Sequence, residues 1–113
     1  MALDTLVTQM RKGALEYCVL ALLTGEPRYG FELVQRLGQI DGMLTSEGTI
    51  YPLLGRLRRV GLVQGEWRES PAGPPRRYYK LTSDGQRNLR AFRDEWITFR
   101  TAVDAILGTG ETK

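Results

Sequence analysis

The sequence contains no histidine and a single cysteine, Cys18. An intrachain disulfide, which needs two thiols, is therefore excluded. Zinc, copper and nickel centres draw mainly on several imidazole and thiolate ligands, so no such metal site is expected. Ser-His-Asp and Cys-His nucleophilic catalysis lack their imidazole. The 13 acidic residues form no conspicuous pair in a glycine-rich or aromatic setting, which leaves a carboxylate enzyme without a centre. Neither catalytic residues nor a cofactor are expected. No apolar run approaches the roughly 18 residues of a membrane span. The opening MALDTLVTQMRKG is amphipathic, unlike a secretory signal. These features describe a cytoplasmic chain without a membrane partner. Cys18 falls on an apolar helix face and reads as a small buried hydrophobe.

The 113 residues suffice for one compact domain, and a hydrophobic share of 42% is that of a globular rather than a disordered chain. The net charge of +3 is unevenly spread. Between Arg56 and Lys80 stand seven cations and two acids, so this stretch carries +5 and the remainder −2. A concentrated positive patch is the electrostatic footprint of a phosphate-binding surface. A merely solvated basic surface is the plainer alternative.

Apolar spacing orders the chain. Leu3, Leu6, Val7 and Met10 mark a first short helix over 3–12. Leu15, Cys18, Val19, Leu22 and Leu23 mark a largely apolar helix over about 13–24, central to the core. Gly25-Glu26-Pro27 ends it. The next helix, with Leu33, Val34 and Leu37 inward, starts at Arg28-Tyr29-Gly30, where free N–H groups either meet a phosphate or form only a turn. Asp41-Gly42 is a turn, and Ser46 is a candidate N-cap.

The third helix follows in SEGTIYPLLGRLRRVGLV. Ile50, Leu53, Leu54, Leu57 and Val60 occupy one side, while Gly48, Tyr51, Pro52, Gly55 and Arg59 project from the other at ~100° per residue. Arg56 and Arg58 flank that outer side. Pro52 fits best if regular helix begins near Ile50, which places it in the first turn. A local defect tolerated by well-packed neighbours is the alternative. After Gly61, LVQGEWRES and RRYYKL alternate as strands around a 70–75 turn, giving a two-stranded hairpin with Arg68, Arg76 and Arg77.

Thr82 caps a last helix, about 83–107, that Gly108 ends. Leu89, Phe92, Trp96, Phe99, Val103 and Ile106 recur at steps of three and four, a heptad seam. Such a helix spans about 37 Å, more than a head of this size covers. The seam is expected to meet the same helix of a second copy, forming a homodimer; packing along its own domain only is the plainer alternative. The expected architecture is mainly α with a small β-hairpin: a winged helix-turn-helix over 1–81, a dimerisation helix over 82–107 and a flexible tail over 108–113.

Narrowed by Gly48 and Gly55, the third helix suits entry into a DNA major groove. Tyr51 offers a ring and a hydroxyl, Arg56 and Arg59 offer guanidinium groups, and the hairpin's arginines would straddle the flanking backbone. A winged-helix module that docks on a protein instead is the rival reading. It would need an acidic partner.

LEYCVLALLTGEPRYGFELVQRL, SEGTIYPLLGRLRRVGLV, GPPRRYYKLTSDG and the spacing Trp96-x-x-Phe99-x-x-x-Val103 together resemble the PadR family of bacterial transcriptional regulators, over roughly residues 13–107. The likeness is to the short subfamily with one C-terminal helix. It implies a winged helix-turn-helix homodimer on palindromic double-stranded operator DNA, usually a repressor released by a small-molecule inducer. By that resemblance Ser46, Gly48, Thr49, Tyr51 and Pro52 lie on the recognition helix, and RRYYKL carries the wing. Trp96 sits near the two-fold axis, where Phe92, Trp96 and Phe99 would take a flat hydrophobic effector or serve as plain packing. Arg58 departs from the family pattern, in which an acid often follows the RL.

Overall fold

The structure is a computed structural model that describes residues 10–110. The elements complete within the described residues are α1 (Leu15–Leu22), β1 (Arg28–Tyr29), α2 (Gly30–Gly38), α3 (Glu47–Arg59), β2 (Val63–Arg68), β3 (Arg76–Leu81) and α4 (Ser83–Leu107). Met10 and Arg11 are also helical. The rest of the helix expected over 3–9 lies outside the described residues. The core joins Val19, Leu20 and Leu23 with Leu33 and Leu37, then Ile50, Leu54 and Leu57, and is closed by Val63, Tyr79 and Leu89. Leu20 is fully buried although the sequence spacing did not single it out. A helix apolar on most of its circumference gives periodicity little to grip.

The expected two-stranded hairpin is a three-stranded antiparallel sheet in the order β1-β3-β2. Arg28 pairs with Tyr79 and Tyr29 with Tyr78. A two-residue strand has no period to read, so this edge was missed.

Helix α3 begins earlier than expected. Ser46 stands at the N-cap with extended backbone, and Thr49 and Ile50 N–H both donate to the Ser46 carbonyl at 3.1 and 3.0 Å. Its side chain contributes no capping bond. Pro52 is therefore in the second turn, and the first-turn reading is wrong. A proline there leaves the carbonyl four residues back, that of Gly48, without its helical donor. Gly48 is exposed, so that carbonyl is open to solvent, while the fully buried Ile50, Leu54 and Leu57 pack the helix onto the core.

The end of α3 is a Schellman turn. Gly61 has φ +82°, the Leu62 N–H donates to the Leu57 carbonyl at 2.9 Å and the Gly61 N–H to the Arg58 carbonyl at 3.1 Å. That left-handed conformation needs glycine. Val60, expected on the core side, is the C-cap residue and is 59% exposed. The helical projection fails where the helix stops.

Thr82 ties this turn to α4. Its hydroxyl accepts from the Gly85 N–H at 3.0 Å and donates to the Gly61 carbonyl at 2.6 Å. At the far end, Gly108 is left-handed and the Thr109 N–H donates to the Asp104 carbonyl. The tail expected from 108 thus opens with a helix-end turn in which Thr109 bonds to Asp104. Residues 111–113 lie outside the described part.

Candidate nucleic-acid interface

The outer side of α3 exposes Gly48, Thr49, Tyr51, Pro52, Arg56 and Arg59, with Gly55 half-buried. Arg56, Arg58 and Arg59 fill its last turn, where cations also favour the helix dipole. Ser46 is exposed beside them at the start, its hydroxyl 3.3 Å from that of Thr49. Arg56 is shared with the core side of the domain, since Glu16 on α1 pairs with it at 3.6 Å.

Tyr51 lies over the start of α2. A Cβ added to Gly30 would meet the Tyr51 ring. Burial pushes the Tyr51 phenol above its ordinary value, and nearby Glu47, Tyr79 and Tyr29 push it the same way. At neutral pH it is a hydroxyl that both donates and accepts.

The wing is β2 and β3, paired from Val63↔Leu81 to Arg68↔Arg76. Arg76 stacks on Tyr29, with its guanidinium carbon 4.5 Å from the ring centroid, and Arg68 on Tyr78 at 4.6 Å. Arg68 also donates to Glu66 at 2.9 Å. The Ser70 hydroxyl closes the tip, 2.9 Å from the Pro74 carbonyl.

Arg28, a candidate phosphate contact at a helix entry that could equally be only a turn, is engaged within its own chain. Its guanidinium donates to the Leu22 carbonyl at 2.7 Å and pairs with Glu26 at 3.2 Å, and the side chain is only 12% exposed. It ties the end of α1 to β1. Tyr29 starts α2, its N–H donating to Glu32 Oε1 at 3.1 Å.

A second surface lies on α4. Tyr17 of α1 stacks flat on Phe92 at 4.1 Å between centroids, Phe92 on Trp96 at 5.6 Å, and Trp96 meets Phe99 at 6.2 Å. Phe92, Trp96 and Phe99 line an open groove of about 650 Å³ with Met10 and Lys12. The seam expected to meet a partner therefore divides. Leu89 is buried in its own head and Phe92 is covered by Tyr17, because the head reaches farther along α4 than its length suggested. Trp96, Phe99 and Ile106 stay exposed, and Val103 is half-buried.

Residues 19–91 match the model of the transcriptional regulator PadR-like family. The chain belongs to that family. It is 44% identical to a PadR-like transcription factor from Bacteroides fragilis, covering 91% of this chain and 99% of that one, with a TM-score of 0.74. It is 40% identical to a PadR-like transcriptional regulator from Bacillus cereus over the same shares, with a TM-score of 0.78. Bacillus subtilis PadR, solved in complex with operator DNA, shares the fold at a TM-score of 0.64, with 24% identity, over 70% of this chain and 46% of that one.

The PadR-like family is one of regulators, and the winged-helix architecture read from the sequence is the one observed. The outer face of α3 and the three wing arginines lie where the sequence placed them on their elements. Gly65 and Trp67, which lie against Arg77, and Glu16, which pairs with Arg56, were not singled out from the sequence. Trp67, 67% exposed on a strand, was the available signal. Glu16 had none, since its pairing with Arg56 is purely tertiary.

Proposed function

We propose that this PadR-like regulator binds double-stranded operator DNA as a homodimer in the cytoplasm and acts as a repressor. The observation that carries the reading is the outer side of α3. Its exposed residues combine small groups, one tyrosine and terminal arginines, while its apolar residues are used in the core. Such a face enters a major groove closely, and the wing arginines reach the flanking phosphates. The fold is shared with Bacillus subtilis PadR, which was solved on its operator.

Dimerisation is supported by the exposed Trp96, Phe99 and Ile106 on α4. A two-fold dimer sets its recognition helices about 34 Å apart and reads a palindrome. Sedimentation of Ile106→Glu as a monomer, against a wild-type dimer, is the expected result; a wild-type monomer contradicts it. The Phe92–Trp96–Phe99 groove is the proposed seat of a flat hydrophobic inducer. Titrating a flat aromatic dye should quench tryptophan emission in the wild type and far less in Trp96→Phe. Equal quenching in both would remove the groove as the site.

DNA binding is tested by fluorescence anisotropy with the intergenic duplex upstream of the gene. An affinity that falls steeply with salt is expected. No binding at low salt would overturn the reading.

A further inference from the structure

We propose that Gly65 and Trp67 are positioning residues that hold Arg77 ready for the DNA backbone. The inference rests on the DNA-binding reading above. Arg77 faces Trp67 across the β2–β3 ladder, and Gly65 faces Tyr79. Residues two apart on a strand share a face, so these four lie on one side of the sheet. Val63 and Tyr79 are buried there, which makes it the side packed on the domain.

At residue 65 that face carries no side chain, and Arg77 occupies the space. A Cβ built on Gly65 would lie 2.6 Å from Arg77 Nε and 3.4 Å from its Cδ and Cγ. The guanidinium carbon stands 5.5 Å from the centroid of a Trp67 ring and 5.9 Å from that of Tyr79. Arg77 Nε is buried and without a hydrogen-bond partner.

Arg76, like Arg77, is held on an aromatic ring. Arg28, Arg56 and Arg68 each pair with a carboxylate. Among the described residues Arg77 has no such pair, and packing alone orders it. A guanidinium stacked on an aromatic face keeps its in-plane N–H fork for a carboxylate or phosphate. The ordering that a flexible arginine would undergo on binding is already done in the free protein. Trp67 is largely exposed, so the core does not account for its presence on the wing. Gly65 supplies the notch, Trp67 the wall, and Arg77 the charge.

The test is a mutant cycle read by anisotropy on the intergenic duplex across a salt series, with thermal unfolding of each variant. Arg77→Ala should lower the slope of log affinity against log salt by about one for each phosphate that Arg77 neutralises. Gly65→Ala should do the same, because a methyl there displaces the Arg77 guanidinium. Its melting temperature should hold, since what must move is one flexible side chain and no backbone. The double variant should bind no more weakly than Arg77→Ala. Wild-type binding by Gly65→Ala, or losses that add in the double variant, would overturn the proposal. Trp67→Leu is the second arm, expected to weaken binding only when Arg77 is present. An equal loss with and without Arg77 would also overturn it. Failure of the wild type to bind any duplex would instead bring down the DNA-binding reading, and this inference with it.

Discussion

The ring of Tyr51 sits where a side chain on residue 30 would have to be: a Cβ on Gly30 would come within 2.2 Å of Tyr51 Cε1. Two helices of the helix-turn-helix thus meet through the absence of a side chain, and the contact sets how Tyr51 leaves the surface of α3. Gly30→Ala must move the half-exposed Tyr51 ring off the start of α2. The expected cost is about 1–3 kcal/mol, typical of overpacking, measured by urea unfolding. DNA affinity should fall with it, because Tyr51 is displaced from its orientation.

The Tyr51 phenol titrates above its ordinary value of 10.0, chiefly through burial, then through Glu47, Tyr79 and Tyr29. The folded state therefore favours the neutral form. That contribution to stability is fully present below pH 10.0 and is lost as pH rises through the folded value. Wild-type stability should fall more above pH 10.0 than that of Tyr51→Phe, and the two curves should run parallel below it. A difference that develops at neutral pH would contradict this assignment.

The joint between α3, the wing and α4 passes through Thr82 and Gly85. A Cβ on Gly85 would lie 2.0 Å from the Leu62 carbonyl oxygen, which is backbone and cannot rotate away. Thr82→Ala removes a cap and a bond to the Gly61 carbonyl, costing about 1 kcal/mol. Gly85→Ala should destabilise more than Thr82→Ala, since it forces α4 off the sheet. Denaturant melts of both variants check the order.

Glu16 shares the charge of Arg56, which the proposed interface would offer to DNA. The pair with Arg56 is half-exposed on the arginine side, so it contributes at most about 1 kcal/mol to stability. Glu16→Gln should leave the fold nearly unchanged and raise DNA affinity by up to about fivefold. Unaltered affinity would show that Arg56 does not approach phosphate.

Much of this surface was legible because its elements are periodic. The buried face of α3 was read from Ile50, Leu53, Leu54 and Leu57, and what remained on the other side was the candidate interface. Misreadings arose where local rules met tertiary ones. Pro52 suggested a late helix start, yet the packing of Ile50 and Leu54 keeps helix from Glu47 onward. The heptad on α4 is regular through Leu89 and Phe92, but regular spacing does not say whose surface covers it; here the same chain's head and Tyr17 do. At Arg28 the sequence left phosphate contact and a plain turn both open, and only the fold brings Leu22, Glu26 and Glu32 around it. The Gly65–Arg77 seat depends on cross-strand register, which no single strand discloses.

The central claim is that α3 presents its outer face to DNA. Anisotropy of the intergenic duplex with wild type, Arg59→Ala and Thr49→Ala, each measured from about 50 to 200 mM salt, tests it most directly. Arg59→Ala should bind more weakly with a shallower salt slope, and Thr49→Ala should bind more weakly with the slope unchanged. Wild-type binding by both variants would contradict the claim.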